Sequence, residues 1–274
     1  MPRDIVTAPV RFTEELRVHH GPKREIGRFL LQGDRALNEL GLKLYLSHDL
    51  RRLFKVNRRH LDSWAPLMPV FDPVQSDIQA HHAFMFELHD AKGEIVATQV
   101  SRLLDLEATT LAAELEHLRL FYRDPASQAG PSERIEVTAP KASDITGRVA
   151  LSGGLWYRPD WRGKGLSWIL PRMTRTLALT NWDPDHVISF VEQGPVDHGI
   201  LVSYGLPDSE PWIRIRDSYR PVVDLLLTWR HKTDLTADVA VYLADLSKRR
   251  ERVCEVPDTQ YSPELVRQGS RRRS

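Results

Sequence analysis

The chain has 274 residues, 41% hydrophobic and 27% charged, with a formal net charge of +1. A chain of this length buries roughly three quarters of its unfolded surface, and its one cysteine, Cys254, excludes an intrachain disulfide and fits a reducing, cytoplasmic setting. The first ~30 residues hold no apolar leader core, no stretch reaches the ~18 apolar residues of a membrane span, and the near-neutral charge makes no general case for nucleic acid.

Residues 1–22 are of mixed character and end at Gly21 and Pro22. Ile26, Phe29, Leu30, Leu37 and Leu40 then recur at helical spacing, with Gly41 as the stop. Residues 42–46 alternate and predict a short strand. Ser47 is placed as the N-cap of a second helix with Leu50, Leu53, Phe54 and Val56 on one face. That helix also carries Arg51, Arg52, Lys55, Arg58 and Arg59. In a near-neutral chain this basic run reads better as a solvated face than as a nucleic-acid patch.

Residues 64–73 hold Pro66, Pro69 and Pro73 beside Trp64 and Phe71, which predicts an ordered loop that covers something. Residues 83–88 and 94–106, joined through Asp90 and Gly93, predict a hairpin. Residues 107–123 are expected to be helical on Leu111, Leu115, Leu118 and Leu120, and residues 124–134 to form a loop. Together they make a long insertion. Later, 187–191 is a β-branched run closed by Glu192, and 199–204 reads as a short helix stopped at Gly205 and Leu206. Residues 212–216 predict a strand and 222–229 a further apolar run. Thr233 or Asp234 caps a helix to about residue 252. The tail from 257, ending in Arg271, Arg272 and Arg273, reads as a solvated terminus.

Residues 149–182 carry the chemistry. Apolar residues from Val149 to Tyr157 predict a buried strand, loosened at Gly153 and Gly154. A turn at Arg158, Pro159, Asp160 and Trp161 leads to a cationic glycine loop, Arg162, Gly163, Lys164, Gly165, Leu166 and Ser167. Ile169, Leu170, Met173 and Leu177 then follow at mostly helical spacing. The first N–H groups of a helix lack partners and carry the positive end of its dipole, so this junction suits a phosphate or pyrophosphate. It is neither a P-loop nor G-x-G-x-x-G. Pro171, past the predicted first turn, is expected to kink the helix.

At these residues the chain resembles the GNAT family, the GCN5-related N-acetyltransferases, whose acetyl-CoA signature is Arg/Gln-x-x-Gly-x-Gly/Ala. Arg162, Gly165 and Ser167 occupy the three defined places, with Ser167 a departure at the last. The resemblance is carried by residues 149–182 and extends more weakly to roughly 83–216. It implies an α+β fold: a central mixed, mainly antiparallel sheet with flanking helices, whose fourth and fifth strands, 149–157 and 187–191, splay apart around the pantetheine arm. With no internal repeat, the chain is read as one elaborated domain. Its core covers about 42–220, with a helical N-terminal extension at 1–41 and a C-terminal addition at 221–274.

The resemblance also implies a function and its residues: an acyl-CoA-dependent N-acyltransferase that moves acetyl from acetyl-CoA to a primary amine by direct attack. Arg162, Gly163, Lys164, Gly165, Leu166 and Ser167 would hold the pyrophosphate. The main chain of Leu155, Trp156 and Tyr157 would pair with pantetheine, and an N–H near Leu155 or Trp156 would receive the oxyanion. Trp64, Met68 and Phe71 are candidates for the acceptor wall.

The amine must shed a proton and the thiolate must gain one. Glu192 is the candidate base, ahead of Glu87, Glu107 and His198. Tyr204 is the candidate acid, although the family usually has its tyrosine where this chain has Leu201. No metal is expected: the adjacent pairs His19, His20 and His81, His82 point to opposite faces if extended, and no HExxH or CxxC occurs. The missing tyrosine and the uncharged strand keep a second reading open, a non-catalytic or regulatory GNAT-fold protein that binds acyl-CoA or a macromolecule. A third uses an acyl carrier protein or aminoacyl-tRNA as donor. The acceptor, a small molecule or a peptide amine, is not named by the sequence, and the residues outside the core leave room for a homodimer contact.

Overall fold

The computed structural model describes residues 8–197 and 199–254. In chain order the elements are β1 Val10–Arg11, α1 Phe12–Glu15, α2 Lys23–Glu39, β2 Lys43–Ser47, α3 Arg51–Arg59, β3 Ala83–His89 and β4 Ile95–Leu106. Then come α4 Leu111–Glu116, α5 Pro125–Gln128, β5 Arg134–Val137, α6 Lys141–Asp144, β6 Gly147–Tyr157 and α7 Leu170–Trp182. The last are β7 His186–Glu192, α8 Gln193–Asp197, α9 Ile200–Tyr204, β8 Asp208–Arg216, β9 Val222–His231 and α10 Lys232–Cys254.

The strands form one sheet in the order β1-β2-β3-β4-β6-β7-β9-β8-β5. Each of these pairings is antiparallel except β6 with β7. The expected mixed, mainly antiparallel sheet with flanking helices is present. β6 and β7 are the strands that the resemblance counts as fourth and fifth.

Two apolar cores lie on the two faces. On one, Leu53 of α3, Val70 and Phe71 of the following loop, and Leu111 and Leu115 of α4 pack over Met85, Val100, Leu151 and Ile188. On the other, α2, α7 and α10 pack over Phe84, Phe86, Ala150 and Val187. α7 is buried nearly all round because α2 and α10 cover its outer side. Phe29 of α2 and Tyr242 of α10 close that layer, ring centroids 5.5 Å apart. Among the described residues, α2 and α10 thus pack over the same face of the sheet as α7.

Several expectations are corrected. Ser47 ends β2, and α3 begins at Arg51; its first turn is held by Asp49, whose Oδ1 accepts from the Arg51 N–H at 3.1 Å. The helix expected over 107–123 stops at Glu116. Leu118 turns the chain with a φ of 59°, and Leu118, Leu120 and Phe121 bury as a compact turn. Inside the expected loop, Arg134 starts β5, which pairs with β8 at the sheet edge. Pro171 makes no kink: Leu166–Trp168 forms a 3-10 turn, and α7 starts only at Leu170. Proline therefore sits in the first turn, where its missing N–H costs nothing. The sheet core does not end near residue 220 either. β9 lies inside the sheet between β7 and β8, with Val223, Leu225 and Leu227 buried. No described helix is long and apolar enough to cross a membrane. His198 and the basic tail at 271–273 lie outside the described residues.

Candidate active site

β6 and β7 are paired only where Val149–Ser152 faces His186–Ser189. Both strands continue past that point, β6 along β4 to Tyr157 and β7 along β9 to Glu192. The edges that face each other beyond Ser152 have lost their strand partner, and backbone groups there need another. The β4 ladder slips at the same level: Thr98 faces Trp156 and Val100 faces Gly153, so Gly154 and Leu155 both stand opposite Gln99. This is a β-bulge. Gly154 has a φ of 55°, and the Thr98 hydroxyl donates to its carbonyl at 3.0 Å.

A cavity of about 420 Å³ occupies the opening between the parted strands. Trp64, Met68 and Phe71 line it, as expected for a wall made by the 64–73 loop. An edge of the Phe71 ring lies close to Gly153, so that a Cβ there would stand 2.6 Å from the ring. The loop is anchored twice. Trp156 stacks with His60 and with Trp64, at centroid distances of 4.3 and 5.5 Å. Arg102 of β4 reaches from the sheet to the Val70 carbonyl, the Ser76 hydroxyl at 2.6 Å and the Asp77 carbonyl at 3.0 Å. Burial lowers the Arg102 pKa to about 10, with the charge of Asp77 working partly the other way. The opposite side of the cavity comes from Pro171 and Arg175 of α7, Tyr204 of α9, and Leu206.

The glycine loop sits beside this opening. Gly163 and Gly165 have φ of 75° and 79°, a region that L side chains rarely adopt, and a Cβ at either would meet nothing within 4 Å. The N–H groups of residues 163–167 have no backbone partner among the described residues. The loop thus presents open main-chain donors at the entry to a 3-10 turn and then α7. Arg162 bridges two backbone carbonyls, Tyr157 at 3.2 Å and Ser63 at 2.9 Å, and so latches the covering loop to the end of β6. Lys164 rests its ammonium 4.1 Å from the Trp161 ring centroid.

Leu155, Trp156, Tyr157 and Arg162 line the cavity, and Gly163, Lys164, Gly165, Leu166 and Ser167 continue outward from Arg162. Glu192 and Tyr204 also line it. Glu192 accepts from Arg220 at 2.7 Å. Burial pushes the Tyr204 phenol well above its ordinary value, with Arg175 pulling partly the other way. Tyr219, on the same wall, is raised by burial and then by the charge of Glu192. Tyr204 therefore holds its proton throughout the physiological range.

Glu87 and Glu107 do not line the cavity. Glu87 is buried in β3 and holds Arg52 at 2.5 and 2.9 Å and His89 at 2.9 Å. Among the lining side chains that were not picked out in the sequence are Gln99 and Arg175. Gln99 looks ordinary inside a strand, and Arg175 looks like a surface position on an amphipathic helix; only the bulge and the cover over α7 bury them. Among the described residues, no three His, Cys, Asp or Glu side chains converge to hold a metal.

No family model and no curated protein sequence matches the chain. Several solved structures are similar to it at low identity. RimJ of Mycobacterium smegmatis, in complex with CoA-disulfide, is 14% identical over 75% of this chain and 90% of its own, with a TM-score of 0.42. The spermidine/spermine N-acetyltransferase SpeG of Vibrio cholerae, in mutant forms, is 11% identical over 71% and 96%, with a TM-score of 0.39. The ribosomal-protein-S5-alanine acetyltransferase of Vibrio fischeri is 13% identical over 71% and 95%, with a TM-score of 0.39. Likeness at this level says nothing of substrate, and the case for the site rests on its own geometry.

Proposed function

We propose that the protein is an N-acyltransferase of GNAT type that takes an acyl group from acyl-CoA, most simply acetyl-CoA, and passes it to a primary amine. The observation that carries this reading is the parting of β6 and β7 beyond Ser152 and Ser189, with a cavity in the gap and open N–H donors of residues 163–167 beside it. A pantetheine arm is an extended chain bearing amides, which suits unpaired strand edges. A pyrophosphate suits the loop and helix start.

In this reading the amine enters under Trp64 and Phe71. Glu192 receives its proton, directly or through water, with Arg220 fixing the carboxylate. The amine nitrogen attacks the thioester carbonyl, and a main-chain N–H near Leu155 or Trp156 bonds the developing oxyanion. The C–S bond breaks as the N–C bond is completed, and the protonated phenol of Tyr204 supplies the proton to the thiolate. The products are an amide and free CoA. The acceptor is read as a small molecule or a peptide amine.

The ion pair of Glu192 with Arg220 favours a second reading, in which the chain binds acyl-CoA without turnover, because the carboxylate is already engaged by a partner. Calorimetric titration with acetyl-CoA, beside an Arg162→Glu, Gly165→Glu double variant, tests the donor site. Micromolar binding that the double variant loses supports it. Absence of binding by the wild type overturns it. Thiol release with a panel of amines then separates the catalytic reading from the non-catalytic one.

A further inference from the structure

The floor of the cavity is more polar than an acetyl group can use. Three buried side-chain atoms there have no hydrogen-bond partner: the Gln99 Oε1, the Tyr157 hydroxyl and the Arg175 Nε. All three residues line the cavity. Gln99 is 4% exposed and pairs across the sheet with Phe86, so both side chains stand on the face that α7 covers. Tyr157 packs against the apolar core of that same face. Arg175 rises from α7 beneath it and is 1% exposed.

Arg175 is the unusual member. A buried cation is ordinarily matched by a carboxylate. Arg172, three residues earlier on the same helix, obeys this rule and pairs with Asp245 at 2.8 Å. Arg175 has no carboxylate within ion-pair distance among the described residues. Its Nη2 donates to the Tyr204 carbonyl, which ends α9, and to the Tyr242 hydroxyl at 3.2 Å. Those bonds, with the Tyr242 ring centroid 6.0 Å from its central carbon, hold the guanidinium in place at the cavity wall and bring no carboxylate to it.

Resting on the reading of this cavity as an acyl-CoA site, we propose that the acyl group it selects ends in a carboxylate, so that the donor is a carboxyacyl thioester of CoA. The free carboxylate accepts from the Arg175 guanidinium and the Tyr157 hydroxyl. Gln99 joins them with its amide turned to present its N–H groups, since the two ends of an amide are sterically equivalent. One anion thereby partners all three orphaned groups. The distal carboxylate takes no part in bond making. The amine nitrogen bonds to the thioester carbonyl, the C–S bond breaks, and the proton lost by the amine is balanced by the one gained by sulfur.

The test compares succinyl-CoA with butyryl-CoA, which have the same number of acyl carbons and differ in the terminal carboxylate, with CoA itself as the reference. Calorimetry on the wild-type protein is expected to give a Kd for succinyl-CoA at least about tenfold below that for butyryl-CoA. Arg175→Met, which keeps most of the stem, is expected to erase that preference while leaving the Kd for CoA within about twofold. Gln99→Leu is expected to reduce it in part. Equal affinity of the wild type for the two thioesters overturns the proposal and leaves the CoA reading standing, as does a variant that weakens CoA and both thioesters alike. Failure of all three ligands to bind the wild type overturns the CoA reading, and this proposal with it. Should the Arg175 variant not fold, the wild-type comparison still decides.

Discussion

Gly153→Ala probes the packing that roofs the strand gap. The added Cβ would stand 2.6 Å from Phe71 Cζ and 2.7 Å from Cε2. Carbon atoms in contact prefer about 3.5–4.0 Å, so the ring must retreat by roughly 1 Å. Phe71 is 4% exposed and set among Leu67, Val70 and Val100, which leaves little room for it to do so. Overpacking of this kind costs about 1–3 kcal/mol. In a chain of this size that corresponds to a fall in Tm of about 2–12 °C. Phe71→Leu shortens the ring and removes the clash, at a cost of about 1 kcal/mol on its own. The double variant is therefore expected to be more stable than the sum of the two single effects predicts, by about 1 kcal/mol. Thermal and urea unfolding of the four proteins measure this cycle. Additive effects, or a Gly153→Ala protein as stable as the wild type, would refute the contact.

Glu87 makes stability depend on acid: burial works against its charge, but hydrogen bonds from His89 and Arg52 outweigh that and hold its pKa below the ordinary 4.5. A depressed carboxylate contributes stability above the unfolded pKa and loses it as pH falls through the folded value. Glu87→Gln should therefore cost about 2 kcal/mol at pH 7, read by urea unfolding, and the gap from wild type should close well below pH 4.5. Arg102→Met removes bonds to Val70, Ser76 and Asp77. It should cost about 2–3 kcal/mol and raise KM for the amine more than for the thioester, measured by initial rates. Glu192→Gln should lower kcat by about 10²-fold or more, with the Kd for acetyl-CoA unchanged by calorimetry. Tyr204→Phe should lower kcat most with substrates whose thiolate departure limits the rate, and unchanged turnover would remove it as the acid.

Much of the architecture was legible because local signals were strong. The alternation around Asp90 and Gly93 marked the β3–β4 hairpin, and Gly205 marked the end of α9. The two glycines of β6 pointed to a loosened strand, and both matter for different reasons: Gly153 admits Phe71, while Gly154 supplies the bulge. The loop at 162–167 was legible since glycines between cations have few other uses. What escaped depended on partners distant in sequence. The place of β9 inside the sheet follows from pairing with β7 and β8, which its apolar run does not encode. The later start of α7 follows from the 3-10 turn that Gly165 introduces, and this converts Pro171 from an expected breaker into an N-terminal residue. Gln99 and Arg175 became candidate site residues only once the bulge and the cover of α2 and α10 buried them.

The central claim is that CoA lies with its pyrophosphate at residues 162–167 and its arm between β6 and β7. Hydrogen–deuterium exchange of the full chain with and without saturating CoA tests this directly, because it localises where main-chain N–H groups become bonded. The account predicts slowed exchange confined to peptides spanning residues 153–168 and the end of β7. Protection elsewhere, or none in 162–167 at a concentration where CoA is bound, would contradict it.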